Sequence, residues 1–202
     1  MSKIKTVGIV GTGVIGTGWI IRNLAHNKIV HAYDQNKNLK NYVLKEIKRT
    51  SKSIKKLFGK KILIKNLKFF NSLEKALSNV DFVQESVLEN YKVKTDLIQK
   101  ISKYVKSNVI ISSSSSGLLP SKIFSKSKNP QRGIIGHPFN PAYLLPAVEI
   151  VPGKKTTRKF LSDANKYYKS ISMRPIMLKK ELPGYLSDRL QEALWREGLH
   201  IN

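Results

Sequence analysis

Residues 11–18, GTGVIGTG, restrict what this chain can fold into more than any other stretch. Gly11, Gly13 and Gly16 stand in a G-x-G-x-x-G spacing, directly after the apolar β-branched run IKTVGIV (residues 4–10). A helical pattern follows over residues 14–27, and the next apolar run, KIVHAYD, ends on Asp34. A strand, a glycine turn, a helix and a second strand closed by an acid form one βαβ unit. In such a unit the first glycine permits the tight turn and the second lets the backbone approach a pyrophosphate. The third allows helix and strand to pack closely. The helix N-terminus offers unpaired N–H groups to phosphate. Asp34 suits a ribose with a free 2′-hydroxyl and would repel a 2′-phosphate, so NAD is the expected dinucleotide. The alternative is a turn that serves packing only, with Asp34 a solvated strand end.

The alternation continues along the chain. A lysine-rich helix is expected over 36–58, short apolar stretches near 62–70, and a strand at VDFVQES (80–86). A helix over 90–105 and a strand at NVIISSSSS (108–116) come next. RGIIGHPF and AVEIV give two further strands, residues 156–171 a helix, and RPIMLKK a last strand. This pattern predicts an α/β fold with a doubly wound, Rossmann-like, mostly parallel sheet over residues 1–180. From Pro183 the pattern becomes one helix with Leu186, Leu190 and Leu194 on one stripe. Residues 181–202 are therefore expected to open an all-α domain that this chain leaves incomplete.

Composition narrows the classes. The formal net charge is +24, with 41% hydrophobic and 25% charged residues. Clustered Lys and Arg favour phosphate backbones, and KEIKRTSKSIKKLFGKK (45–61) is the densest basic run. The excess is mostly lysine, is spread along the chain and accompanies no nucleic-acid motif, so a solvated face is the preferred reading. No nucleic-acid partner is expected. The positive field would still draw in anionic ligands, a dinucleotide included. No apolar run approaches the roughly 20 residues that span a bilayer, and the N-terminus does not read as a signal peptide. With no cysteine, disulfides, thiolate nucleophiles and Cys-based zinc sites are excluded. A cytoplasmic protein with no metal and no membrane partner is expected.

The stretch GHPFNPAYLLPAVEIVPG (136–153) carries the candidate chemistry. A glutamate interrupts a buried-strand pattern at Glu149, and His137 ends the strand before it. Burying a carboxylate is costly unless it is paired, and His137 is the available partner. Pro138, Pro141 and Pro146 would stiffen the connection by fixing φ. Removing the proton of an alcohol as hydride leaves for NAD requires a base that titrates near neutrality, held in one tautomer by a carboxylate. A structural buried pair, or an edge strand that turns Glu149 to water, remain alternatives.

Four segments together resemble the 3-hydroxyacyl-CoA dehydrogenase family: the glycine fingerprint, ESVLENYKVKTDL (85–97), ISSSSSGLLPS (111–121) and the His137 stretch. The resemblance covers nearly the whole chain. It implies that His137 is the general acid/base, that Glu149 orients it and that Ser116 hydrogen-bonds the substrate oxygen. Asn140 would help shape the pocket, and Glu89 and Lys94 would lie along the nicotinamide end of the groove. It also implies a small-molecule substrate held against a helical domain that makes most of a homodimer contact. Only the first helix of that domain is expected here, which would leave the leucine stripe exposed and the chain's own activity open.

HPFNPAYLLP and SDRLQEALWREGLH are most similar to the carnitine-oxidising branch of the family. Asp188 stands where acyl-CoA enzymes carry an asparagine before Arg-Leu, and a carboxylate suits a cationic substrate. Phe139, Tyr143 and Trp195 would supply π faces to a trimethylammonium group. Alternatively Asp188 caps the helix or pairs with Arg189, and Trp195 is core. Carnitine is the expected substrate, with a 3-hydroxyacyl-CoA ester as one alternative and a catalytically silent NAD-binding chain as another.

Overall fold

The computed structural model describes residues 4–201. Strand β1 (Thr6–Val10) leads through the glycine turn into α1 (Val14–Ala25), and β2 (Ile29–Tyr33) closes the first unit. Then come α2 (Leu39–Phe58), β3 (Leu67–Phe70), α3 (Leu73–Leu77), β4 (Phe82–Glu85), α4 (Tyr91–Tyr104), β5 (Ile110–Ser113) and α5 (Pro120–Ile123). β6 (Gly133–Pro138), β7 (Ala147–Pro152), α6 (Arg158–Ser170), β8 (Arg174–Met177) and α7 (Ser187–Ile201) complete the order.

The eight strands form one sheet in the order β3-β2-β1-β4-β5-β6-β7-β8. Every neighbouring pair is parallel except β6 and β7, which run antiparallel. The expected doubly wound α/β fold is therefore the observed one. Side chains alternate between the faces, so Val7 and Ile9 join one core while Val10 joins the other. Helices α1, α2 and α6 cover the first face through Trp19, Ile20, Ile47 and Tyr168. Helices α3, α4 and α5 cover the second through Leu77, Ile98 and Ile123. Strand order reverses at β1 and β4, with β2 and β3 added on one side and β5 onward on the other, and that switch point opens a crevice at the carboxyl ends of the strands.

Three local departures from the expected elements have physical causes. Two short helices, α3 and α5, lie in stretches to which the sequence pattern assigns no element; their single turns are too brief to give a periodic signal. β5 ends at Ser113 because the Ser113 hydroxyl accepts the Ser115 N–H at 3.3 Å, turning the serine run away from the sheet. α7 starts at Ser187 because Gly184 and Tyr185 have φ of 69° and 45°, outside helical geometry. The lysines of α2 point outward while Val43, Ile47 and Ile54 are buried. No residue of α7 is buried, and Leu190 and Leu194 are 57% and 74% exposed. Among the described residues no helix is long and apolar enough to cross a membrane.

Candidate active site

The glycine turn is shaped by contacts that a side chain would break. Gly11 has φ of 87°, donates its N–H to the Tyr33 carbonyl at 2.9 Å, and has the Ser86 carbonyl where a Cβ would go. A Cβ on Gly16 would lie 1.8 Å from the Gly11 carbonyl oxygen, so α1 packs directly on the turn. At Gly13 the equivalent space is open, with nothing within 4 Å. No side chain caps α1, which leaves first-turn N–H groups available to an anion. Asp34 is fixed beside the turn: one oxygen accepts the Thr12 N–H at 2.6 Å and the other the Asn36 N–H at 2.9 Å. A cavity of about 750 Å³ is lined by Gly11, Gly13, Tyr33, Asp34, Ser86 and Val87. Free space at Gly13, an uncapped helix and an acceptor at the strand end fit a dinucleotide with an unmodified ribose.

A second cavity, about 800 Å³, adjoins the first at Ser86 and Val87. His137 and Glu149 enter its wall from β6 and β7, whose antiparallel register sets them directly opposite each other. His137 Nδ1 lies 2.7 Å from Glu149 Oε2, and the carboxylate side chain is fully buried. The same oxygen accepts the Ser187 hydroxyl at 2.7 Å, while Oε1 accepts the backbone N–H groups of Leu186 and Ser187 at 2.9 and 3.0 Å. Burial pushes the Glu149 carboxyl up, but the donors from His137, Ser187 and Leu186 outweigh it and hold it below the usual carboxylate range. An ionised Glu149 fixes the proton of a neutral imidazole on Nδ1 and leaves the Nε2 lone pair to accept a proton. The reading in which Glu149 turns to water is excluded by this burial.

The other candidates divide. Ser116, Glu89, Lys94, Asn140, Phe139 and Asp188 all line the dyad's cavity. Glu89 accepts the Ser116 N–H at 3.0 Å, and so holds the serine loop. Lys94 is 1% exposed, donates to Glu85 at 2.8 Å and to the Val87 carbonyl at 3.1 Å, and lies 3.5 Å from Glu89. No ion pair joins Asp188 to Arg189 among the described residues. Tyr143 stands apart from the cavity, packed against the first core with its hydroxyl 3.4 Å from Arg49 Nη2. Trp195 also lies outside the lining, and at 63% exposure it is not core either. Both were expected from aromatic type alone, which does not specify which way a loop or helix turns.

The family model for the 3-hydroxyacyl-CoA dehydrogenase, NAD binding domain, matches residues 6–182. The chain belongs to this family. Its cofactor is accordingly NAD, in keeping with the turn and Asp34. The chain is similar to the L-carnitine dehydrogenase of Oceanobacillus iheyensis, 42% identical over 98% of this chain and 65% of that protein. It is 43% identical to the L-carnitine dehydrogenase of Pseudomonas putida, over 100% of this chain and 63% of that protein. Thus it spans just under two thirds of these relatives' length. Among solved structures, an NAD+-dependent dismutase, 5-formyl-3-hydroxy-2-methylpyridine 4-carboxylic acid 5-dehydrogenase, superposes with a TM-score of 0.91 at 25% identity, over 98% of this chain and 65% of that one.

Within this dehydrogenase fold, several residues that sequence reasoning passed over support the site. Tyr185 is buried, donates to the Leu118 carbonyl at 2.6 Å, and sets its ring edge against His137 at 5.8 Å. Ser187 contacts Glu149 through both N–H and hydroxyl. Glu85 sits under the groove, accepting from Lys94, the Val87 N–H and Ser113. A PGY turn ahead of a helix is the one sequence signal that could have flagged Tyr185. The partner of Ser187 is 38 residues away in sequence, and Glu85 is one acid at the end of an apolar strand whose partners Val87, Lys94 and Ser113 follow no recognisable pattern.

Proposed function

We propose that the protein carrying this chain oxidises the 3-hydroxyl of L-carnitine to 3-dehydrocarnitine with NAD. The observation that carries this reading is the 2.7 Å His137–Glu149 pair in a cavity contiguous with the glycine-turn cavity. Bound NAD supplies the acceptor for the hydride that leaves C3. His137 Nε2 takes the hydroxyl proton as the carbonyl forms, and Glu149 stabilises the resulting imidazolium. Ser116 donates a hydrogen bond to the substrate oxygen, and Asn140 bounds the pocket beside it. Glu89 and Lys94 shape the groove by holding the serine loop and the chain at Val87. Asp188 offers counter-charge to the trimethylammonium group and Phe139 a π face, and both line the same cavity. The two carnitine dehydrogenases at 42% and 43% identity support this substrate.

A second reading, oxidation of a 3-hydroxyacyl-CoA, draws support from the net charge of +24, which would attract the anionic ester. NADH formation with L-carnitine and with 3-hydroxybutyryl-CoA separates the two: preference for the CoA ester overturns the carnitine assignment. NADH binding without turnover of either substrate points to a silent dinucleotide-binding chain. The reading further comprises a dinucleotide-binding unit over residues 1–180 and a helical unit opening at 181–202. It also comprises a cytoplasmic location, no nucleic-acid or membrane partner, and a homodimer formed where further helices cover the exposed stripe of α7. Size-exclusion mass measurement of the protein tests the dimer.

A further inference from the structure

Behind the junction of the two cavities lies a polar network whose proton directions are fixed by donor counting. The Gly136 carbonyl can only accept, so the Gln84 nitrogen 3.3 Å away must be the end that faces it. That nitrogen also donates to Ser114 Oγ at 2.8 Å. The Gln84 oxygen in turn accepts the Tyr168 hydroxyl proton at 2.7 Å, which obliges Ser112 to donate to Tyr168. Ser114 Oγ receives a second donor, the Trp19 indole N–H, at 3.1 Å. Indole can only donate. Both lone pairs of Ser114 are then occupied, and its one proton goes to its remaining neighbour, Ser86 Oγ, at 2.8 Å. Ser86 is left with a hydroxyl proton that no described protein group accepts. The hydroxyl of Ser86 is committed to donate outward.

Its place gives that proton a use. Ser86 follows β4, donates its N–H to the Val10 carbonyl at 2.7 Å, and backs onto Gly11 with its own carbonyl. It lines both cavities. With pyrophosphate at the glycine turn and the adenosine ribose at Asp34, the part of the cofactor that must pass Ser86 to reach His137 is the nicotinamide half. That half presents ribose oxygens and a carboxamide carbonyl as acceptors. We infer that Ser86 is a cofactor-binding residue, donating a hydrogen bond to an acceptor oxygen on the nicotinamide half of NAD. Trp19, Gln84 and Ser114 aim it by leaving its proton no other acceptor. The inference rests on NAD occupying the two cavities in this sense.

The test is binding of NADH and of ADP, which lacks the nicotinamide half, to the full chain and to its S86A variant, by calorimetry or fluorescence. The expected result is a loss of about tenfold in NADH affinity, the size of one hydrogen bond, with ADP affinity unchanged. Equal NADH affinity in parent and variant overturns the role of Ser86 and leaves the cofactor assignment standing. Equal losses for NADH and ADP overturn it as well, since the variant has then disturbed the glycine turn. If the parent chain binds neither ligand, the cofactor assignment falls and this inference falls with it.

Discussion

Glu149 gathers four donors on two oxygens, and each does a different job. Oε2 holds the His137 ring and the Ser187 hydroxyl, and Oε1 holds two backbone N–H groups at the start of α7. A carboxylate so held cannot rotate away from the imidazole, so the tautomer of His137 is set by the fold. Replacement of His137 by Gln is expected to lower turnover in the NADH-forming assay by about 10²–10⁴, the usual contribution of a general base. The Kd for NADH, measured by fluorescence titration, should stay nearly constant, because the dinucleotide is gripped at the glycine turn. A drop below tenfold would remove His137 from the proton-transfer role. The pairing itself was legible in the sequence, because a lone carboxylate in an apolar strand calls for a partner and one histidine lay on the adjacent strand. Ser187, which holds the same oxygen, was not legible: hydroxyls are common and its partner is far away in sequence.

At the scale of one element, the turn between β1 and α1 separates two uses of glycine. Gly16 is required by the protein's own packing, whereas Gly13 has empty space where a side chain would go. Gly16→Ala should therefore lower both thermal stability and NADH affinity, because its methyl group meets the Gly11 carbonyl. Gly13→Ala should leave the melting temperature within a few degrees of the parent, its backbone being extended with φ −64°. It should nonetheless weaken NADH binding about tenfold or more by occupying the approach of the pyrophosphate. Calorimetric melting and NADH titration of both variants check this; a Gly13→Ala variant that binds NADH normally would refute the cradle. Strand–turn–helix order was readable here because spacing, residue type and chain neighbours all coincide within one βαβ unit. The serine run 112–116 was not fully readable, because leaving the sheet after Ser113 depends on a local hydroxyl bond that competes with the ladder. The side-chain directions of Tyr143 and Trp195 were equally hidden: Tyr143 turns toward Arg49 of α2, and Trp195 stands exposed on α7.

Across the whole molecule, Glu149 also joins the sheet to α7. That helix buries none of its own residues; it is held at its first turn by Glu149 and by the buried Tyr185 ahead of it. The state of one carboxylate therefore governs both the dyad and the position of the helix that carries Asp188 into the cavity. Glu149 is held below the ordinary glutamate range of about 4.3, with burial opposing and the His137 and Ser187 donors prevailing. A depressed folded-state value contributes stability that is complete above the unfolded value and lost as pH falls through the folded one. Anchoring of α7 should then be complete at neutral pH and persist down through the ordinary glutamate range, failing only as pH falls below it through the depressed folded value. Amide exchange at Leu186 and Ser187, corrected for intrinsic rates, reads this directly. Protection at those two amides should fall in acid before the amides of β1 and β4 lose theirs. Glu149→Gln, which keeps shape but accepts more weakly, should lower protection there about tenfold at neutral pH. Protection at Leu186 and Ser187 that is insensitive both to acid and to Glu149→Gln would mean that α7 is held by something other than this carboxylate.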